Sequence, residues 1–151
     1  MQKFPRIYNK SDFSLTANVT AQPSMWTTIG QVTVPAQQYV TFGIGSVAGG
    51  VDTREVCYID LKDTTPANVD GKVRFVLADA NLVKKIVVAE QRTERLRASQ
   101  NDKTQGFLLG EFPIKAREDS KLLIEFYPDS TSAVTISASD STMLVPVTVY
   151  Q

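Results

Sequence analysis

Few residues of this chain could do chemistry, because its 151 residues include no histidine, one cysteine and one tryptophan. Histidine is the common general base and metal ligand near neutral pH, so its absence removes most triad-type catalysis and most zinc chemistry. Cys57 lies in a strand-like run without a histidine to activate it, which predicts a buried and unreactive side chain. We therefore expect a structural or binding role, and not an enzyme.

Two acidic pairs offer the oxygen ligands that calcium prefers, Asp60 with Asp63 and Glu118 with Asp119. Neither pair has the spacing of an EF-hand loop, so we interpret both as solvated loop residues. The glycine-rich segment 43–49 resembles a dinucleotide-binding fingerprint, but its third glycine comes one position late and no helix is predicted after it. The sequence thus predicts neither a cofactor nor a metal site.

The strongest surface signal is the segment from Lys84 to Arg97, which carries five basic and two acidic residues. Arginine is enriched at protein interfaces and forms planar, bidentate bonds with carboxylates. Residues 113–151 carry three basic and five acidic residues and could form the complementary surface. One interpretation is a solvated strand face. The other is a contact between subunits made by Arg92, Arg95 and Arg97.

Three aromatic residues, Trp26, Tyr39 and Tyr58, suggest a second binding chemistry. Aromatic rings on a β-sandwich can stack on sugars, so a carbohydrate-binding or adhesive module is the alternative function. A lone tryptophan beside a strand is more often part of a core or an interface.

Composition restricts the class of partner. Sixteen basic and sixteen acidic residues cancel, and without a basic excess we expect no specific binding to nucleic acid. No apolar run reaches the roughly 18–20 residues of a membrane span, and the first residues have no signal-peptide core, so we expect neither a transmembrane segment nor secretion.

The scaffold is predicted to be all-β, because 17 valines and 15 threonines lie in short alternating runs separated by Gly, Pro, Asp and Asn. The predicted strands are 12–20, 26–34, 38–44, 55–62, 72–78, 107–112, 121–127, 133–139 and 143–150. Such spacing is typical of an antiparallel β-sandwich of single jelly-roll type with about 8–10 strands. We predict an N-terminal arm at 1–11 and one sandwich domain at 12–151.

Residues 80–98 are ambiguous between helix and strand. Leu82, Ile86 and Leu96 fall near helical spacing, whereas the β-branched cluster at 86–88 favours a pleated surface. We favour one long strand, since the neighbouring segments are all predicted strands.

The arm at 1–11 contains Phe4, Ile7 and Tyr8 among basic residues. It is too short for a core of its own and too apolar for a solvating tail. A neighbouring subunit could order it in a groove or at a sheet edge. These three residues are therefore interface candidates, together with the three arginines.

The chain resembles single jelly-roll coat proteins of tailless double-stranded DNA viruses, and also small β-rich proteins that decorate the capsids of tailed viruses. The resemblance lies in segments 32–39, 118–125 and 144–150 and in the glycine-rich turn after Phe42. It implies a virion structural protein that is assembled in the host cytoplasm. Such a subunit associates with copies of itself and with other capsid proteins, and has no enzymatic activity. Both the coat and the decoration role remain open.

Overall fold

Thirteen β-strands and one short α-helix form the regular structure of the residues that the computed structural model describes. Those residues are 3–5, 8–9, 17–34, 39–42, 58–83, 85–98, 114–115, 119–145 and 147–150. The elements are β1 (Lys3–Pro5), β2 (Tyr8–Asn9), β3 (Val19–Ala21), β4 (Thr27–Val34), β5 (Tyr39–Phe42), β6 (Tyr58–Asp60), β7 (Gly71–Asp79), β8 (Lys85–Arg92), α1 (Thr93–Ala98), β9 (Ile114–Lys115), β10 (Ser120–Pro128), β11 (Val134–Ile136), β12 (Thr142–Val145) and β13 (Val147–Tyr150).

The strands form four sheets in which every described pairing is antiparallel. Their strand orders are β4-β10-β7-β8, β1-β13-β5-β9, β2-β12-β6 and β11-β3. The chain changes sheet between β12 and β13, since β12 pairs with β2 and β6 whereas β13 pairs with β1 and β5. The predicted all-β antiparallel fold is therefore confirmed.

The longest strands, β7 and β10, pair along their full length at the centre of one sheet. Alternation along the strands places Val73 and Phe75 beside Ile124 and Phe126 on the inner face, while Arg74 and Glu125 lie on the outer face. The outer face also holds a smaller buried cluster, formed by Val76, Ala78 and Leu123.

The main core lies between this sheet and the strands that face it. Its buried residues come from several elements: Ile29, Val73, Phe75, Leu122, Ile124 and Phe126 from β4, β7 and β10, joined by Ala21, Ile59, Leu61, Val69, Leu96, Ile136 and Met143. Because residues of β6 and β12 pack on those of β7 and β10, the architecture is a sandwich of two layers.

The expected single strand through 80–98 is wrong in its second half. Residues 85–92 form β8, as predicted, but residues 93–98 form α1. Helical geometry turns Leu96 into the main core, where it is fully buried, and buries the hydroxyl of Thr93 against β7. Burial of those two side chains overrides the β-propensity of the preceding cluster.

The number of strands also differs from the expected 8–10. Six of the thirteen described strands contain only two or three residues, and these short strands were not separable in the sequence from the turns beside them. Two of them lie within the predicted arm, where β1 pairs with β13 and β2 pairs with β12 of the same chain.

None of the helices in the described part of the chain is long and apolar enough to span a membrane.

Candidate subunit-contact surfaces

The three arginines of the charged segment lie at the corner where β8 becomes α1. Thr93 begins the helix and is almost completely buried. Its Oγ1 accepts a hydrogen bond from the backbone N–H of Gly71 at 3.1 Å and donates to Oδ1 of Asp70 at 3.3 Å. These two bonds join the start of α1 to the start of β7, so they determine the direction in which the arginines project.

Thr93→Val keeps the shape of the side chain but removes this hydroxyl. We expect the variant to lose about 1–3 kcal/mol of unfolding free energy, because the buried N–H of Gly71 is left without its acceptor. Urea denaturation measures the loss. Thr28→Val, at an exposed position of β4, is the matched control and should leave stability nearly unchanged. Equal losses in both variants would contradict a role for the hydroxyl.

The guanidinium of Arg92 is bonded to two carboxylates of its own chain. Its Nη1 donates to Oδ1 of Asp129 at 2.8 Å, and its Nη2 contacts the second oxygen of that carboxylate. Its Nε and Nη2 also donate to Glu94 at 3.1 Å and 3.0 Å. Hydrogen bonds from Arg92 hold the pKa of Asp129 and of Glu94 below their ordinary values. The same two partners, Asp129 first, raise the pKa of Arg92.

Arg97 is also engaged within the chain. It pairs with Asp70 through Nη2, and its Nε lies 3.5 Å from Oδ1 of Asp60, an ion-pair distance longer than a good hydrogen bond. Lys62 approaches the same Asp60 oxygen at 3.2 Å. Arg97 thereby fixes α1 to β6 and to the residue before β7.

Arg95 differs from the other two arginines. Its side chain is exposed on α1 and makes no ion pair or hydrogen bond with any residue that the structure describes. Of the three predicted interface arginines, Arg92 and Arg97 have charge partners within the chain, and Arg95 alone presents an uncompensated guanidinium to solvent.

The apolar interface candidates lie on short edge strands. Phe4 is in β1, opposite Val149, and Tyr8 is in β2, opposite Val145. Both β1 and β2 are outermost in their described sheets. Ile7 lies outside the described residues. The backbone of 3–5 and 8–9 therefore pairs with its own chain, and among the described residues each of these strands has a partner on one side.

Sequence reasoning missed a cluster on the outer face of the central sheet. Arg74 donates through Nε to Glu125 at 2.7 Å and stacks over the ring of Trp26 at 4.1 Å. Trp26 also lies 5.3 Å from the ring of Tyr127, which faces Lys72 at 5.2 Å. The alternation of β7 indicated that Arg74 points outward. It could not reveal that Glu125, 2% exposed, would be its directly paired neighbour.

The proposed sugar platform is not assembled on one sheet. Trp26 precedes β4, whereas Tyr39 lies in β5 and Tyr58 in β6, which belong to two other sheets. Trp26 is occupied by Arg74 and Tyr127. The backbone positions of the three residues therefore belong to three different sheets or their flanks.

The first acidic pair, Asp60 with Asp63, is also used within the fold. Oδ1 of Asp63 accepts hydrogen bonds from the hydroxyl and N–H of Thr65 and from the N–H of Ala67, at 2.6, 2.7 and 3.0 Å. These bonds, the Thr65 hydroxyl first, lower the pKa of Asp63. The part of the chain that the structure describes holds no cluster of acidic or sulfur ligands suited to a metal ion. Cys57, Glu118 and segment 43–49 lie outside it.

Two solved structures share this fold over nearly the whole chain. One is a chain of the VP16–VP17 complex, a complex of the two major capsid proteins of bacteriophage P23-77, with a TM-score of 0.62, 8% identity, and coverage of 99% of this chain and 98% of that chain. The other is VP17, a capsid protein of the same phage, with a TM-score of 0.50, 10% identity, and coverage of 99% and 96%. No family model and no curated protein matches the sequence.

The likeness confirms the expected fold class, an antiparallel sandwich of the jelly-roll type found in those capsid proteins. At this level of identity it establishes the fold alone.

Proposed function

We propose that this protein is a virion structural protein, a subunit of a capsid or of its decoration layer that acts by self-association and by binding other capsid proteins. The observation that carries the proposal is the structural match to a phage capsid protein over 99% of this chain and 98% of the other, which leaves no room for a separate functional domain in the matched region. The protein would act in the virion, after assembly in the host cytoplasm, and without catalysing a reaction.

Two kinds of surface would make the contacts between subunits. The first is the pair of edge strands β1 and β2 with Phe4, Ile7 and Tyr8, since an outermost strand can accept a further strand or a loop. The second is the α1 corner, where Arg95 offers a guanidinium to a carboxylate on a neighbour. Arg92 and Arg97 then act as positioning residues that hold α1 at the correct angle.

The assembly test uses the purified full-length protein. Light scattering after size-exclusion chromatography, combined with electron microscopy, should reveal oligomers or shell-like particles whose mass rises with protein concentration. A strict monomer over a wide concentration range, retained on a polysaccharide matrix, would contradict the capsid role and support the adhesive module.

Arg95→Glu should lower the mass of the oligomer while the far-UV spectrum and the melting temperature stay unchanged, because Arg95 has no described partner within the chain. Arg97→Ala should lower the stability as well as the mass of the oligomer, because Arg97 positions α1. It removes pairs to Asp60 and Asp70 and should cost about 1 kcal/mol of unfolding free energy, since these groups are only partly screened. If Arg95→Glu keeps the parent's mass at every concentration, Arg95 is not a subunit contact.

A further inference from the structure

Among the strands that the structure describes, β8 is the outermost of the central sheet, and it carries apolar side chains into solvent. Four of the five exposed large apolar residues in the described part of the chain lie in β8 and in the turn before it: Leu82, Val83, Ile86 and Val87, with exposed fractions of 43%, 77%, 65% and 49%. An edge strand normally carries charges that discourage pairing, so a run of this kind marks a site where another strand adds.

The turn that leads into β8 holds one of these exposed residues in an unfavourable backbone conformation. Leu82 has a backbone φ of 61°, in the left-handed region that favours glycine or asparagine. The turn is held by Asp79, whose Oδ1 accepts the N–H groups of Asn81 and Val83. A bulky apolar residue, exposed and in a strained conformation, contributes little to the stability of the free subunit.

The apolar side chains of β8 lie on both faces of the sheet. By register, Ile86 lies opposite Leu77 and Val87 lies opposite Val76, and neighbouring strand positions point to opposite faces. A partner that covered only one face would leave the other residue exposed. A strand added to the edge would contact both.

A β-bulge makes β8 complementary to a second copy of itself. Phe75 pairs with Ala89 and Val76 with Val87, so Val88 is an extra residue in β8. In a regular strand, positions 85 and 90 would point to opposite faces, because they are an odd number of residues apart. The bulge brings them onto the same face of the sheet, opposite Ala78 and Arg74 of β7.

We propose that β8 pairs antiparallel with β8 of a second copy, around a two-fold axis at Val87 and Val88. In this register Lys85 of each copy lies opposite Glu90 of the other, and Ile86 lies opposite Ala89. The opposite charges at both ends and the apolar centre are the complementarity that selects a second copy as the occupant. The two central sheets then join into one continuous sheet across the axis.

This pairing deepens the proposed function, because both require copies of the chain to associate. It is nevertheless tested separately, by disulfide cross-linking of full-length protein in a Cys57→Ser background. In this register Val87 of one copy lies opposite Val88 of the other, so the two Val87 Cα atoms are offset by one residue and about 6 Å apart, a distance that a disulfide can span. Val87→Cys should therefore give a covalent dimer with oxidised glutathione.

The matched control is Met25→Cys, another exposed apolar position, which lies next to the opposite edge of the same sheet. We expect Val87→Cys to cross-link about tenfold faster, because pairing raises the local concentration of the two thiols. Adding Glu90→Lys should abolish the difference, since Lys85 then faces a lysine. Adding Lys85→Glu as well should restore it. Circular dichroism verifies that each variant is folded.

Equal cross-linking rates for Val87→Cys and Met25→Cys would overturn the β8 pairing. The pairing would also be overturned if Glu90→Lys left the cross-linking rate of Val87→Cys unchanged. Particle formation by the parent protein is scored independently. If particles form without Val87 cross-links, the capsid role stands and only this contact is removed. If cross-linked dimers form without any larger assembly, the contact stands and the capsid role is contradicted.

Discussion

Gly71→Ala is expected to destabilise the protein by about 3 kcal/mol or more, at the upper end of the cost of overpacking. A Cβ atom at this position would lie 2.1 Å from the backbone oxygen of Tyr127 and 2.7 Å from Cε2 of Phe126. The ring could rotate away, but the oxygen belongs to the backbone of β10, to which β7 is paired. Guanidinium denaturation compares the variant with the parent.

A second variant separates these two clashes. Phe126→Leu removes the ring contact and leaves the backbone contact, so Gly71→Ala should cost nearly as much stability in a Phe126→Leu background as in the parent. A much smaller cost in that background would show that the ring, and not the backbone oxygen of Tyr127, excludes a side chain at position 71.

Arg74→Met should cost about 3 kcal/mol of unfolding free energy, the lower part of the range for removing one member of a buried ion pair. The variant keeps an apolar stem against Trp26 but leaves the carboxylate of Glu125 without the 2.7 Å contact from Nε. The lower part of the range applies because the Arg74 side chain is 22% exposed and water screens part of the interaction.

Two comparisons isolate the ion pair. Arg95→Met, which replaces an exposed arginine, should change stability by less than about 0.5 kcal/mol. Adding Glu125→Gln to Arg74→Met should recover at least half of the loss, because the buried charge is then removed. If both arginine variants lose the same amount, the pair with Glu125 is not the source of the effect.

The central sheet could be predicted closely because its strands are long runs of apolar and β-branched residues that end at turn residues. The predicted runs 26–34, 72–78 and 121–127 agree with β4, β7 and β10 to within one residue at each end. Strand β10 is buried without interruption from Leu122 to Phe126, so its bounds were visible from the apolar run and the proline after it, and not from a period of two.

The change from β8 to α1 was not predictable in the same way. Thr93 and Leu96 are compatible with either a strand or a helix, and what decides between them is distant in the sequence. The N–H of Gly71 needs the Thr93 hydroxyl, and the main core has a space that Leu96 fills. Non-local hydrogen bonding and packing of this kind override local propensity.

The candidate contact residues show the same difference between properties that the sequence reveals and properties that depend on the fold. Their charge and apolar character were visible in the sequence. The internal partners of Arg92 and Arg97 were not visible, because Asp129, Asp60 and Asp70 lie far away in the chain. Only the folded arrangement separates Arg95, which is open to a neighbour, from the two arginines that hold the corner together.

The pairing of the first two strands has a consequence for biosynthesis. Strands β1 and β2 pair with β13 and β12, so residues near one end of the sequence find their partners only near the other end. During translation, those partners do not exist until residues 142–150 have been synthesised. Such long-range pairing delays folding, and a chain that stops before residue 142 cannot complete these two sheets. Such a chain would lack the edges by which subunits could meet.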